Sequence, residues 1–525
     1  MEPSCVRHNL IPGTSRLFED FLYDFDRVAP FYSHPFSNFE EFIAEAKALN
    51  YPADRRTRLV SALREQDGQS AGLSKLAEPA TVAVVTGQQV GLFSGPAYTI
   101  FKALTAVKLA AELEQHGVPA VPVFWLATQD HDIAEVDHAW VFNEQLTPTR
   151  ISVANTVAGG GPVGEVELRD LPLEELRRAL GELPFADEVT QRLTCAYQSR
   201  ASFGSAFRVF LKDLLGRFGL LFVDPLKPAM RELSAPFLAG VVPRVAELVS
   251  RLQNRNKELT DAGYHNQVHV EDETSLLFLL SEGKRTALRF KDGKFAWKDR
   301  QLDACELKAM ATDLSPNALL RPVMQDYLLP TVSYVGGPAE IAYLAQSQVL
   351  YQELLGRMPV IFPRNSFTLL DARATKLMNR YGLHLTDLLD FQEHVKGRIA
   401  ARLVPAGLVE HLEELERSTS AALEDAQDSL AKFDPTLQSA AKKSSAKILY
   451  QIHRLSEKTA RETLRRDERA AQGAEYLINL IYPHRRLQER FYSIVPFLAK
   501  YGLDLPDRLL AMTQTQCPDH TVRTI

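Results

Sequence analysis

At 525 residues the chain exceeds what one hydrophobic core ordinarily supports, so two or three domains are expected. Hydrophobic residues at 45% and charged residues at 24% describe a globular protein rather than a disordered or fibrous one. With 60 Lys and Arg against 66 Asp and Glu, the net charge of -6 gives no general attraction for nucleic acid, and any anionic ligand must be held locally.

Cys5, Cys195, Cys305 and Cys517 lie far apart and form no CxxC or Cys/His metal spacing, which fits a reducing cytoplasm. Residues 1–30 show no basic stretch followed by an apolar one, and no apolar run approaches the roughly 20 residues that cross a bilayer. A soluble cytoplasmic protein without membrane or nucleic-acid partners is expected.

The first α/β unit opens at Thr81–Val85, a β-branched run without alternation that reads as a strand buried on both faces. Gly87, Gly91 and Gly95 interrupt it, Pro96 suits a helix start, and Ile100, Leu104, Val107 and Ala111 mark a helix ending near Gly117. "VPAVPVFWLAT" supplies the next strand, completing a βαβ crossover. Directly behind it, "QDHDIAEVDH" gathers Asp130, His131, Asp132 and Glu135. Ligands of open parallel sheets bind beyond the carboxyl ends of strands, so this acidic cluster and the glycine loop are expected to share a pocket.

"LLFVDP" at 220–225 reads as another buried strand. Residues of about 140–220 and 255–310 read as insertions, the second with hairpin turns at Glu282-Gly283 and Asp292-Gly293. "TVSYVGGPAEIAYLAQ" repeats the first design, with Gly336 and Gly337 before a Pro338 helix that runs to Gly356, and "PVIFPRNSFTLL" follows as strand and turn. From Leu408 the ladder Leu412, Leu415, Thr419, Ala422, Ala426, a break at Pro435 and a second ladder from Ala441 to Thr459 predict an antiparallel coiled-coil hairpin, serving as a packing or dimerisation arm. The division expected is a core over 1–395, the hairpin over 396–475 and a segment over 476–525 that packs back on the core.

The glycine loop is neither Walker A nor GxGxxG. Glycines nevertheless admit close approach of a ligand, and the helix behind Pro96 offers free N–H groups to an anion. Gln88 and Gln89 add donors and acceptors, and Lys102 is placed to reach a phosphate or carboxylate. The Asp130–Glu135 cluster is open to three readings: a divalent-metal site, a general base or ammonium clamp, or an acidic helix start answering the dipole. Asn317, Arg321, Gln325, Glu340 and Tyr343 surround the second glycine-proline turn. Arg321 is either an anion receptor or stapled to Asp326 or Glu340, and Arg364 follows a strand as an anion hook. Cys517, near a tail with little periodicity, reads as a bystander.

"VVTGQQVGLFSGPAYTIFKALTAVKLA", "PVFWLATQDHDIAEVDH", "SPNALLRPVMQDYLLPTVSYVGGPAEIAYLAQ", "PRNSFTLL" and "YPHRRLQER" resemble, in order and over most of the chain, the bacillithiol biosynthesis cysteine-adding enzyme family. The resemblance implies an α/β fold: a Rossmann-like parallel-sheet core with inserted connecting segments, plus an α-helical coiled coil that forms a homodimer. It also implies a ligase that joins L-cysteine by an amide bond to glucosaminyl-malate, with ATP and Mg²⁺ as an expected cosubstrate. On that reading Asp130, Asp132 and Glu135 hold the cysteine ammonium and His131 takes a proton from the glucosamine amine. Gln88, Gln89, Asn317, Gln325, Glu340 and Tyr343 contact substrate, and Arg321 or Arg364 receives the malate carboxylates. A nucleotide would lie at Thr86, Gly87, Gly91, Gly95, Lys102, Gly336 and Gly337, with no resident metal expected. A nucleotidyltransferase of other substrate and a coiled-coil scaffold are the competing classes.

Overall fold

In a computed structural model, residues 4–143, 146–153, 160–198 and 200–525 are described; residues 144–145, 154–159 and 199 of the expected first insertion lie outside that set. Five parallel strands form the central sheet in the order Val360–Pro363, Thr331–Gly336, Val82–Gln88, Ala120–Leu126, Leu221–Val223. The chain starts in the middle, builds outward through 120–126 and 221–223, then returns to the other side for 331–336 and 360–363. The order reverses between Val82–Gln88 and Thr331–Gly336, which makes the crevice beyond their carboxyl ends the place where such sheets bind ligands.

The strand expected over 81–85 runs on to Gln88, because Gly87 and Gln88 still pair with Trp125 and Leu126. Every residue of Ala120–Leu126 is buried, as the unbroken apolar run requires. Phe124 and Leu126 enter one core while Val123 and Trp125 enter the other, the two-residue alternation of a sheet sandwiched between two apolar layers. The first crossover helix spans Tyr98–Gln115 and the second Pro338–Leu355, the latter ended by Gly356 at φ 69°. "PVIFPRNSFTLL" is two strands rather than strand and turn: Val360–Pro363 closes the central sheet, and Ser366–Leu370 joins a different one.

The second insertion is an antiparallel five-stranded sheet containing Thr274–Ser281, Lys284–Lys291 and Lys294–Trp297. Its two-residue turns sit where expected, with Glu282 and Gly283 at φ 54° and 70°, and Asp292 and Gly293 at φ 49° and 78°. The last strand of this sheet, Leu314–Pro316, leads through the helix Arg321–Leu328 into the central sheet's second half. Among the described residues one helical stretch, Pro228–Asp261, has the length and apolarity to cross a membrane, but half of its most apolar window is buried in the protein. Leu238, Val241, Val245, Leu248 and Leu252 belong to the core around the central sheet, so it is a core helix.

The coiled-coil hairpin consists of Ala406–Phe433 and Leu437–Arg466, broken at Pro435 as the sequence demands. Gln427 donates to Ser445 Oγ across it at 2.8 Å, and Leu415, Ile448 and Leu455 remain exposed. The following residues return to the core. Ser4–Val6, His520–Thr524 and Ser366–Leu370 form a third sheet, so segments from both ends of the sequence meet the edge of the Rossmann-like core.

Beneath that sheet, buried Glu489 accepts two hydrogen bonds from Arg364, at 3.0 and 2.6 Å, and one each from Ser366 Oγ and the Phe367 N–H. Burial works to raise the Glu489 carboxyl, but Arg364 and these donors hold it at about 2. His520, fully buried beside them, is pushed down to about 4 by burial, against the opposing pull of Glu489. An unfolded histidine titrates near 6.5 and takes up a proton that buried His520 refuses, so its contribution is complete above 6.5 and is lost as pH falls toward 4. The size is roughly 3 kcal/mol by the usual conversion. We expect the denaturation midpoint to fall between these pH values. In His520→Gln the slope of stability against pH, measured by urea titration, should be shallower by about one proton.

Candidate active site at the switch point of the sheet

A cavity of about 640 Å³ occupies the crevice between the carboxyl ends of Val82–Gln88 and Thr331–Gly336. It opens beside a larger one of about 1210 Å³, and both are lined by Gln88, Gln89, Tyr98, Glu135 and Arg490. The smaller cavity collects Asp130, His131, Asn317, Arg321, Glu340, Tyr343 and Lys102, residues drawn from distant stretches of the chain. The acidic cluster and the glycine loop do share a pocket.

The two halves of the sheet are tied together at its floor. Thr86 is fully buried and donates to Val335 O at 2.8 Å, and Lys102, 2% exposed, pairs with Glu340. Lys102 also donates to Gly87 O at 2.7 Å and to Gln88 Oε1 at 2.9 Å. Burial lowers the lysine, with Glu340 opposing; burial would raise the glutamate, but Lys102 and the Gly337 N–H bring it below its ordinary value. Glu340 accepts that N–H at 2.9 Å and the Tyr334 hydroxyl at 2.7 Å. It thereby caps its own helix, at the position where an incoming anion was expected.

The glycines mostly serve close packing. A Cβ on Gly87 would stand 2.8 Å from Trp125 O, and one on Gly91 would stand 2.9 Å from the Gly95 Cα. The loop carries Phe93 and Ser94 at φ 51° and 76°, a left-handed run that non-glycine residues resist. It is braced by the C-terminal segment: Ser493 Oγ donates to Phe93 O at 2.9 Å, and the Ala97 N–H donates to Tyr492 O at 2.7 Å. The start of the first crossover helix is thus also occupied by protein. Gly87 and Gly337 line the smaller cavity and Gly91 and Gly95 the larger one, whereas Thr86 and Gly336 line neither.

On the acidic side, the Gln89 amide donates to Asp130 Oδ2 at 2.6 Å and to Glu135 Oε2 at 2.7 Å, so one side chain gathers two carboxylates. Asp130 Oδ1 accepts the His131 N–H at 2.7 Å. Asp132 is exposed and lines neither cavity. Among the described residues no group of three His, Cys, Asp or Glu side chains is arranged to hold a metal ion.

Arg285 was not anticipated. It stands two residues beyond the Gly283 turn, on the inserted antiparallel sheet, and burial pushes its guanidinium down to about 10. It donates to Ser315 Oγ at 3.0 Å and Pro316 O at 2.7 Å, lies 3.8 Å over the Phe278 ring, and reaches His131 Nδ1 at 3.2 Å. A guanidinium only donates, so His131 Nδ1 carries the lone pair in this network and the ring proton sits on Nε2. The hairpin signal located Arg285's turn, but its face toward the cavity depends on how the insertion docks.

Opposite the carboxylates, Arg321 donates to Gln325 Oε1 at 3.1 Å and to the Tyr343 hydroxyl at 2.7 Å. Both partners are neutral, and neither staple considered from sequence forms: Asp326 is engaged by Tyr351, and Glu340 pairs with Lys102. Among the described residues no carboxylate pairs with Arg321. Gln325, fully buried, supports Arg321 from below without lining the cavity. Arg364 lines the cavity, but its charge is already matched by Glu489 at 2.6 Å, so it is not the free anion hook expected from sequence. The larger cavity adds Arg150, Arg485 and Arg486, the last two from the "YPHRRLQER" stretch.

Lys102 is accordingly a structural cation. Lys102→Met leaves Glu340 buried without its counter-ion, and the expected loss is about 3–5 kcal/mol of unfolding free energy in urea titration. A stability within 1 kcal/mol of the parent, with ligand binding lost, would instead make Lys102 a ligand contact.

A family model described as bacillithiol biosynthesis BshC, N-terminal Rossmann-like domain, matches residues 1–365, and the model of the C-terminal coiled-coil domain of BshC matches residues 367–525. A Solibacter usitatus protein named "Putative cysteine ligase BshC" is 52% identical, covering 100% of each chain. Proteins of the same name from Koribacter versatilis and Salinibacter ruber are 36% and 32% identical, covering 99% of each chain in the first case and 96% of this chain and 95% of the relative in the second.

Proposed function

Since the chain belongs to the BshC family of bacillithiol biosynthesis, we propose that it is a cytoplasmic cysteine ligase that joins the carboxyl carbon of L-cysteine to the glucosamine nitrogen of glucosaminyl-malate. The observation that carries this reading is the polarity of the small cavity: two carboxylates gathered on Gln89 face a cleft that also holds Arg321, a guanidinium with only neutral partners. Such a cleft complements a ligand with an ammonium at one end and carboxylates at the other.

In this reading Asp130 and Glu135 bind the α-ammonium of cysteine, and Arg321, oriented by Gln325 and Tyr343, receives a malate carboxylate with Asn317 beside it. Asn317 Oδ1 accepts the Leu319 and Leu320 N–H groups at 3.1 and 3.0 Å, which leaves its amide N–H free of that cap. The glucosamine amine must lose a proton before it attacks. His131 accepts it at Nδ1 once the amine displaces Arg285 from that lone pair. Amide formation from a free carboxylate expels water, which is unfavourable at neutral pH; ATP with Mg²⁺, when bound, would supply the activation, and the Arg150, Arg485 and Arg486 face suits a polyphosphate.

The exposed Leu415, Ile448, Leu455 and Phe433 of the hairpin, the last 85% exposed, support its use as a homodimerisation arm. A Leu415→Glu, Ile448→Glu variant should then run at half the parent mass by light scattering; an unchanged mass excludes the arm.

The decisive assay incubates purified protein with glucosaminyl-malate and L-cysteine, with and without ATP and Mg²⁺, and follows the condensed thiol and nucleotide products by mass spectrometry. Condensed thiol with one AMP each indicates an adenylate and with one ADP each an acyl-phosphate. Absence of condensed thiol from folded protein under all of these conditions overturns the ligase reading.

A further inference from the structure

Cys5 and Cys517 are 512 residues apart in sequence, yet their sulfurs lie 3.9 Å from each other. Cys5 is the middle residue of Ser4–Val6, opposite Thr521 of the antiparallel strand His520–Thr524, and Cys517 lies in the irregular segment that leads into that strand. The pair is held from both sides. Asp519, two residues beyond Cys517, accepts the Tyr23 hydroxyl at 2.7 Å, Tyr23 in turn accepts the His8 N–H at 2.8 Å, and Arg7 stacks 4.1 Å from the Tyr23 ring centre. Neither segment can slide away without breaking these contacts. Cys5 is exposed and Cys517 half-buried. At 3.9 Å the two sulfurs are within about 2 Å of disulfide bonding distance.

We propose that Cys5 and Cys517 form a reversible intramolecular disulfide by exchange with low-molecular-weight disulfides, a modification site that clasps the third sheet. The exposed Cys5 thiolate attacks one sulfur of the small disulfide, forms a mixed disulfide and releases one small thiol. The Cys517 thiolate then attacks the Cys5 sulfur and expels the second small thiol. Two protein thiols are oxidised and one small disulfide is reduced to two thiols, each proton lost by a cysteine being taken up by a departing thiolate. Burial raises the Cys517 thiol above its ordinary value, against the opposing Asp519 backbone hydrogen bond, so the exposed Cys5 is the thiol that attacks first and Cys517 follows in the intramolecular step, where proximity compensates for a smaller thiolate fraction.

The clasp closes on the strand that carries His520, beside the Glu489–Arg364 pair at the cavity wall. Its closure restricts the unfolded chain over nearly its full length, so the oxidised protein should be the more stable form. Cys195 and Cys305 are both exposed and serve as internal controls for ordinary thiol reactivity.

The test treats reduced full-length protein with oxidised glutathione and digests it without reductant for peptide mass spectrometry. The expected result is a crosslinked pair of peptides containing Cys5 and Cys517, glutathione adducts on Cys195 and Cys305, and a thermal midpoint higher by about 2 °C or more. In Cys517→Ser, Cys5 should keep its glutathione adduct and the midpoint should no longer rise. Glutathione on both Cys5 and Cys517 without a crosslink, or no reaction at either, would overturn the proposal. A crosslink that leaves the midpoint unchanged would overturn the clasp.

Discussion

The buried Lys102–Glu340 pair is the constraint on which the site depends. Lys102 comes from the helix after the central strand and Glu340 from the helix after the strand across the switch point, so their contact bolts together the two halves that the ligand cleft would otherwise divide. Two charges taken out of water at such a place are tolerable only when each is fully bonded. Lys102 meets this through Gly87 O and Gln88, and Glu340 through the Gly337 N–H and Tyr334. The cleft therefore has a rigid, electrically satisfied floor. Its unsatisfied charges stand on the walls, where a ligand can reach them.

Those walls come from three sources. The acidic wall is the chain behind Ala120–Leu126, gathered by Gln89; the cationic wall is Arg321 at the start of the helix Arg321–Leu328; and the inserted antiparallel sheet closes one side with Phe278 and Arg285. The segment after the coiled coil completes the enclosure. It supplies Arg490 to both cavities, braces the strained Phe93–Ser94 turn through Tyr492 and Ser493, and neutralises Arg364 with Glu489. The Rossmann-like half and the coiled-coil half thus share one site, although the family models divide them at residue 366.

Sequence patterns carried the architecture well where they reported on burial and local backbone geometry. Unbroken apolar runs marked the core strands, glycine-proline turns marked both crossovers, Glu282-Gly283 and Asp292-Gly293 marked the hairpins, and Pro435 marked the break between coiled-coil helices. The shared cavity was legible to the same depth. Residues behind strand ends, such as Gln88 and Asp130, were placed in one pocket because topology alone brings them there. What stayed hidden were long-range charge pairings. No local pattern joins Arg364 to Glu489 across 125 positions, or Lys102 to Glu340, and so two lysine and arginine side chains that look free in sequence are matched in the fold. Arg285 was missed for the complementary reason: a hairpin's turn is visible in sequence, but the cavity its strand faces is set by docking against the other domain.

The most direct test of this account is the kcat/KM for L-cysteine in condensed-thiol formation by Asp130→Asn, measured beside its thermal midpoint. Asp130 is partly exposed and bonded to Gln89 and a backbone N–H, so its carboxylate charge can be removed with little effect on folding. The account predicts a fall on the order of 10²-fold, the usual scale for losing one charged contact to a bound substrate, with the midpoint unchanged. An unaltered kcat/KM, or a loss that merely follows a lowered midpoint, would contradict the assignment of the ligase site to the switch-point cleft.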